Sequence, residues 1–540
     1  MKRILLAFLA VLPFYAIAQE NKTKLDIWPD FEKPPYADQR VKGHDFMVIL
    51  SDLPNKDVII GYHHSGKTFV KDTVTTDAKG VAKVQGDDLW DGGIYLIAVD
   101  GASLFEFVYS ATESGFTLKT THENPFKDLE IKNSKENELF YGYQNERINR
   151  SKMSNRLGKR YKEHTKADNK DSMKVIEKLA RQSQKELKEY QINLANSNPG
   201  TMTAMIINLM REPEVPEPPA TVDGEPVDTA YWQYLYFKKH YWDFVDFTDD
   251  RIIRTPIFRE KVNKYIGQNL TVQVPDSICN TALSLIDDTR MANKEVYKNV
   301  LTWIMSKYEN SNIMGMNAVV CCLGNKYYRN DPECDWLKAK QRKKLLDHLD
   351  KECNVLVGNM AEDLVMLDIT GVPRSLHGID ADYTIVYFYS STCGHCKKVT
   401  PKVKKIYDDY KDKGVKVFAV NTDYKEVKND DGKVIDLVES KDYKDYVRDN
   451  ELDWINVADP RHETGFRDHY NIYSTPVIYL IDKDKKFVGV RLDWLTLRKM
   501  LLNKVDKMPH EDIDVWMEEH GYVPEEEDKE ESEDEGEGEG

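Results

Sequence analysis

Cys393-Gly394-His395-Cys396 is where residue types and spacing in this 540-residue chain point to chemistry. From Gly394 onward the pattern is helical, with Val399, Val403 and Ile406 on one face and lysines on the other, so both cysteines fall in the first turn of a helix. The thiolate is the reacting form of cysteine, and the free N–H groups and positive end of a helix stabilise an anion there. Cys393 is therefore expected to be the acidic, exposed attacker. Cys396, one turn further in, is placed to attack the mixed disulfide that Cys393 forms with a partner. His395, when protonated, favours the Cys393 thiolate and makes the pair more oxidising than one flanked by Gly-Pro.

Other chemistries fit less well. A structural zinc site needs a second ligand pair, and Cys279, Cys321, Cys322, Cys334 and Cys353 offer no second C-x-x-C. Haem attachment needs His after the second cysteine, where Lys397 stands. His63-His64 invites a metal reading, but neighbours on a strand point to opposite faces. No metal and no cofactor are expected.

The positioning elements are legible on either side. Ile385, Val386, Tyr387, Phe388 and Tyr389 are β-branched or aromatic without a break, which predicts a strand buried on both faces. Ser390, Ser391 and Thr392 form the turn that follows. About 80 residues downstream, Tyr473-Ser474-Thr475-Pro476-Val477-Ile478-Tyr479-Leu480 looks like the Thr-cis-Pro loop that thioredoxin folds set against their active cysteines. Thr475 and Pro476 are the expected substrate-binding residues, presenting backbone to an extended segment.

On these motifs, residues 357–507 resemble a thioredoxin domain of the bacterial envelope TlpA/ResA-like group. Val357-Gly358-Asn359-Met360-Ala361-Glu362-Asp363-Leu364 resembles the group's opening. The order of elements fits: a strand at 383–389, the active-site helix, a strand Val415 to Asn421, a helix near 440–450, the Pro476 loop, a hairpin turning at Asp482 to Lys485 and a helix about 496–506. Two departures stand out. Thr392 replaces the Trp common before the first cysteine. Tyr387 stands where many thioredoxins keep a buried Asp, so proton transfer by that Asp is not available.

The rest of the chain reads as a multidomain protein. Met1-Lys2-Arg3, the apolar run Ile4 to Tyr15 and Ala16-Ile17-Ala18 make a signal peptide, cleaved after Ala18. An all-β sandwich-like domain (19–132) follows, with alternating runs at 46–50, 58–62, 93–99 and 105–109. A central α-helical domain (133–356) is expected to start at an Asn133/Glu136 capping box. It resembles an uncharacterised helical domain fused to such thioredoxin domains. Its aromatic and Arg/Asp-rich stretch, Tyr231 to Pro256, reads as core and buried ion pairing, with a partner groove as the alternative. Cys321 and Cys322 read as buried thiols, with a bridge from one of them to Cys334 as the alternative. The C-terminal α/β thioredoxin fold (357–507) leads into an extension (508–540) with an acidic disordered tail. From Glu525 the tail carries eleven acids against Lys529, most of the net charge of −16. The body is thus only mildly acidic, and neither nucleic acid nor anionic membrane is an implied partner.

Two functional expectations follow. The first is a thiol-disulfide oxidoreductase of the periplasm, with secretion as the alternative location and no stable membrane anchor. It would act on protein thiols and disulfides and exchange electrons with an unidentified upstream redox partner, in a direction that the motif leaves open. The second is an envelope binding or scaffolding protein whose helical and β-domains hold a partner, with the redox pair secondary. Protein disulfide isomerases of the endoplasmic reticulum share Cys-Gly-His-Cys, but the single C-x-x-C and the absence of a retention signal count against them.

His395 gives the first test. Replacing it with Pro is expected to raise the Cys393 pKa and lower the reduction potential, each pKa unit corresponding to about 1.4 kcal/mol. Thiolate absorbance titration and equilibration with glutathione measure the two effects. No change in either would leave the helix terminus as the activator.

Overall fold

The computed structural model describes residues 36–222, 225–267, 269–332, 334–429 and 431–522. The signal peptide expected at 1–18 and the acidic tail from Glu525 lie outside the described residues. The chain divides into two compact units: Met1–Gln273 with Asn280–Trp303, and Val274–Cys279 with Ile304–Gly540.

In the first unit, two four-stranded sheets enclose a common core. One runs Val81–Gly86, His44–Leu50, Phe116–Thr120, Glu130–Lys132, and the other Lys67–Thr75, Asp57–His64, Gly93–Val99, Ala102–Tyr109. Alternation decides the inward face: His44, Phe46, Val48 and Leu50 are buried, while Asp45 is exposed and Met47 and Ile49 are half-buried. Phe46, Val48 and Leu50 meet Val58, Ile60, Tyr95, Ile97, Phe107 and Leu118 from both sheets. Gly93–Val99 instead reads as an unbroken apolar run and is buried along its whole length. Its second face is covered as well, by Phe140, Tyr141, Met202 and Ile206 from helices that pack on Ile94 and Val108.

The first helix is Lys135–Lys166, and its cap differs from the one expected. Ser134, in extended backbone, accepts from the Asn137 N–H, while Asn133 lies in the left-handed region at φ 60°. Glu136 is not free to close a capping box because both of its carboxylate oxygens accept from the Met202 N–H, at 3.0 and 3.1 Å. That N–H opens the helix Met202–Met210. Burial pushes the Glu136 carboxyl up to about 7, against the opposing pull of that N–H and of the Arg251 charge.

The Arg/Asp part of the stretch is core, as expected, whereas the aromatic helix Thr229–Lys239 ahead of it has no buried residue and leaves Tyr231 52% exposed. Arg251 is fully buried, pairs with Asp249 at 2.7 Å and donates to the Gly200 carbonyl. Arg254 pairs with Asp250 and donates to the Gly92 carbonyl at 2.7 Å. Gly92 and Gly93 allow this approach: a Cβ on either would lie within 2.8 Å of an arginine side chain. Removing one partner of such a pair strands a buried charge, at a cost of about 3–5 kcal/mol. His63 pairs with Glu106 at 2.8 Å, and the His64 ring lies against Phe69.

In the second unit, a seven-stranded sheet runs Pro373–Ser375, Val365–Asp368, Ile455–Ala458, Val415–Asn421, Tyr383–Tyr389, Val477–Asp482, Phe487–Gly489. Tyr383–Tyr389 is central, parallel to Val415–Asn421 and antiparallel to Val477–Asp482. Ile385, Tyr387 and Tyr389 face the helices Gly394–Tyr410 and Trp494–Lys504. Val386 and Phe388 face Phe466, Tyr470 and Tyr479 on the other side. That is the doubly covered strand its composition predicts.

Packing runs past residues 357 and 507. Val355 belongs to the core beside Leu364, and a helix His510–Glu519 sets Ile513 and Met517 on Leu502. The expected state of the cysteines is corrected. Cys321 bridges to Cys353 and Cys322 to Cys279, and Cys334 is the buried thiol. Successive residues on a helix point about 100° apart, so the adjacent pair on Asn317–Leu323 reaches two different partners.

Glu136 gives the fold a pH dependence of known sign. Its folded pKa lies above the ordinary 4.5, so the stability it contributes is full below about pH 4.5 and is lost as pH rises through about 7. The loss is on the order of 3 kcal/mol at most. Glu136→Gln is expected to flatten the change in urea stability between pH 5 and pH 8; parallel slopes for variant and wild type would show that the carboxyl ionises freely in the fold.

Candidate active site

The site stands at the C-terminal ends of the central parallel strands, where side chains emerge between sheet and helix. Where Tyr383–Tyr389 ends, Ser390 to Thr392 turn sharply. Asp423, just beyond the neighbouring strand, fixes that turn by accepting from the Ser391 N–H at 2.6 Å and its hydroxyl at 2.5 Å. The Ser390 hydroxyl accepts from the N–H groups of Thr392 and Cys393. The turn delivers Cys393 as the N-cap of the helix Gly394–Tyr410, with Cys396 in its first turn.

As the cap, Cys393 Sγ accepts from the Cys396 N–H at 3.4 Å. Burial alone would raise this half-exposed thiol. The donors outweigh it: the Cys396 N–H and thiol, the His395 N–H and Thr475 together hold Cys393 below the ordinary thiol range. Cys396 is fully buried. Burial pushes its thiol up to about 11, although the Ser390 N–H and Thr475 favour its thiolate. The structure thus brings together an accessible sulfur biased toward thiolate and a buried one held as thiol.

Thr475 and Pro476 meet the cysteines from the far side of the sheet's centre. The Thr475–Pro476 peptide is cis, and the Thr475 carbonyl oxygen is 3.6 Å from Cys393 Sγ. His395 lies on the exposed side of the helix, and its effect on Cys393 comes through its backbone N–H.

Behind Cys396 the polar groups are hydroxyls. Tyr387 Oη and Thr400 Oγ1 are 2.9 Å apart, and Thr400 donates to the Cys396 carbonyl at 2.8 Å. With its hydrogen committed there, Thr400 accepts from Tyr387, which ties the helix's first turn to the strand beneath it. Asp423 and Thr400 were not singled out from the sequence, and Ser390 was read only as part of the turn. The signal for Asp423 is its place two residues past the end of a parallel strand, Val415–Asn421.

A strand, a tight turn and a helix that together hold one reactive and one buried thiol, faced by a proline loop from the adjacent strand, define a dithiol site on a thioredoxin fold. The family model and the curated relatives agree with this. Residues 357–489 match the AhpC/TSA family, and residues 175–350 match a domain of unknown function, DUF5106. A thiol-disulfide oxidoreductase ResA of Bacillus cereus is 27% identical over 139 residues, covering 26% of this chain and 70% of that protein. A ResA of Halalkalibacterium halodurans is 29% identical over 70 residues, 13% of this chain and 40% of that one. Among solved structures, a domain of a possible thiol-disulfide isomerase from Cytophaga hutchinsonii is 32% identical, covers 28% of this chain and 95% of its own, and has a TM-score of 0.24. A thioredoxin-like protein from Bacteroides caccae is 18% identical, covers 54% of this chain and 98% of its own, and has a TM-score of 0.41. The chain carries a ResA-like thioredoxin-family domain of the AhpC/TSA family behind a separate DUF5106 domain, and it is an oxidoreductase.

The asymmetry of the thiols sets a labelling order. After mild reduction, brief iodoacetamide treatment at pH 8 is expected to modify Cys393 and spare Cys396 and Cys334, both of which burial pushes up to about 11. Peptide mapping reads the order directly, and equal labelling of Cys396 would show that the two sulfurs are not distinguished.

Proposed function

We propose that this chain is a periplasmic thiol-disulfide oxidoreductase acting on protein substrates through Cys393 and Cys396. The difference between their surroundings carries the reading: an accessible sulfur that accepts from its own helix's N–H groups, in front of a sulfur that burial keeps protonated. In the reductive direction the Cys393 thiolate attacks a substrate disulfide. One S–S bond forms, the substrate S–S bond breaks, and the departing thiolate takes a proton. Cys396 then loses its proton and attacks Cys393 Sγ, which releases the second substrate thiol. The substrate has gained two electrons and two protons, and the enzyme is left as the Cys393–Cys396 disulfide. An upstream redox partner resets it, and the oxidative direction is the same sequence reversed.

In this reading His395 tunes the Cys393 thiolate, and Thr475 and Pro476 present backbone to the substrate segment. The proposed segments are a β-domain (19–132), a helical region (133–356) that is shared between the two compact units, and a thioredoxin-type domain (357–507) with the extension 508–540. A periplasmic location rests on the signal-like segment to Ala18 and on the two disulfides outside the active pair, which persist in an oxidising compartment. Among the described residues, no helix is long and apolar enough to cross a membrane.

Cys396→Ser removes the resolving attack and leaves the attacker. Mixed disulfides between Cys393 and client proteins are expected to accumulate, as adducts on non-reducing gels that vanish with dithiothreitol and are absent in Cys393→Ser/Cys396→Ser. No adducts from a folded, expressed variant would rule against protein substrates.

A further inference from the structure

Inside the second unit, the helix Ala339–Asn354 lies against the segment that leads into the proline loop. Lys351 pairs with Asp468 at 2.7 Å, and Glu352 holds Asn471 and Arg491. His348 Nδ1 is 3.5 Å from Tyr473 Oη, and Lys351 Nζ is 5.7 Å from the centre of the Tyr473 ring. The His348 ring is itself held by Glu309 at 2.9 Å, and the helix end is tied down by the Cys321–Cys353 disulfide.

Tyr473 remains 61% exposed despite these contacts. A lone exposed aromatic is ordinary on a protein surface. This one is steadied by two side chains of a disulfide-anchored helix, and it stands two residues before Thr475, whose carbonyl is 3.6 Å from Cys393 Sγ. At 3.8 Å between successive Cα atoms, its Cα is within about 8 Å of that of Thr475. A ring held open two residues from the carbonyl that meets the attacking sulfur offers apolar area to whatever chain carries the attacked disulfide, at little further entropic cost because the ring is already positioned.

We propose that Tyr473, positioned by the helix Ala339–Asn354, is a substrate-selecting contact that takes an aromatic or large aliphatic side chain flanking the substrate cysteine. The proposal rests on the oxidoreductase reading above, and it makes the helical region ahead of the thioredoxin-type core a part of substrate choice. The helix acts through Tyr473, so His348 and Lys351 are positioning residues.

The test uses the full-length reduced protein and two synthetic peptides, each a mixed disulfide with glutathione, whose cysteine is flanked by Phe and Leu in one and by Gly and Ser in the other. The readout is the ratio of the two second-order rates, which a general loss of folding or of thiol reactivity does not move. Wild type is expected to prefer the apolar peptide by roughly tenfold. Tyr473→Ala should bring the ratio near one, Tyr473→Phe should keep it, and His348→Ala/Lys351→Ala should reduce it without changing the reduction potential. A ratio near one in the wild type, or one unaffected by Tyr473→Ala, overturns the proposal and leaves the oxidoreductase reading standing. Failure of the wild type to react with either peptide, or reaction undiminished in Cys393→Ser, overturns that reading and this proposal with it.

Discussion

The N–H of Cys396, aimed at Cys393 Sγ from 3.4 Å, is the interaction on which the site depends. A cysteine in the cap position gives the helix a sulfur where Ser or Asp would ordinarily accept, so the device that starts the helix also stabilises the thiolate. The position has to be enforced, because the cap works only if the turn delivers the sulfur to the helix axis. Asp423 enforces it by binding both donors of Ser391, and the Tyr387–Thr400–Cys396 carbonyl chain holds the first turn from below. Burial of Cys396 completes the arrangement, since it and the repulsion of the first thiolate together disfavour a second one.

The parts of this site legible in the sequence follow local rules. Five consecutive β-branched or aromatic residues admit few alternatives to a doubly covered strand, and Ile385 to Tyr389 form one. The helical spacing after Gly394 gives a helix Gly394–Tyr410 whose cap and first turn hold the two cysteines. The contributions of Asp423 and Tyr473 were not legible because they depend on which strand ends and which helix come to lie beside the motif. The Glu136 cap failed for the same reason: a local pattern of Asn and Glu three apart was overridden by a long-range bond to Met202. Composition did better with Asp249 to Arg254, where Arg and Asp close together find each other once buried, than with the aromatic helix Thr229–Lys239, none of whose residues is buried.

The cysteines show the same division between local and long-range information. Spacing marks Cys393 and Cys396 as a pair because three residues is one helical turn. Pairing of Cys279, Cys321, Cys322 and Cys353 depends instead on how three helices lie together, with partners 43 and 32 positions apart in the sequence. A loop of that size removes much unfolded-state entropy, about 3–4 kcal/mol for each bridge in the chain-entropy picture. The helical segment leading into the thioredoxin-type core is therefore fastened independently of that core's own packing.

A reactive dithiol and two structural disulfides in one unit raise the question of why they do not exchange. Attack requires in-line access of a thiolate to a sulfur, and each bridge joins one buried cysteine, Cys321 or Cys279, to one that is half-buried, Cys353 or Cys322, while Cys393 sits beside Thr475. Burial restricts attack to the half-buried sulfur of each bridge, whatever the relative potentials. It also assigns the tuning of the active pair mostly to Cys393. Cys396, high in pKa, is a thiol in the reduced state across the physiological range and adds little to that state's stability through ionisation. Each further pKa unit at Cys393, by contrast, shifts the couple by about 1.4 kcal/mol, or roughly 30 mV for two electrons. The groups around that one sulfur, first among them the helix N–H groups and then whatever His395 adds, are where this chain's place on the redox scale is set.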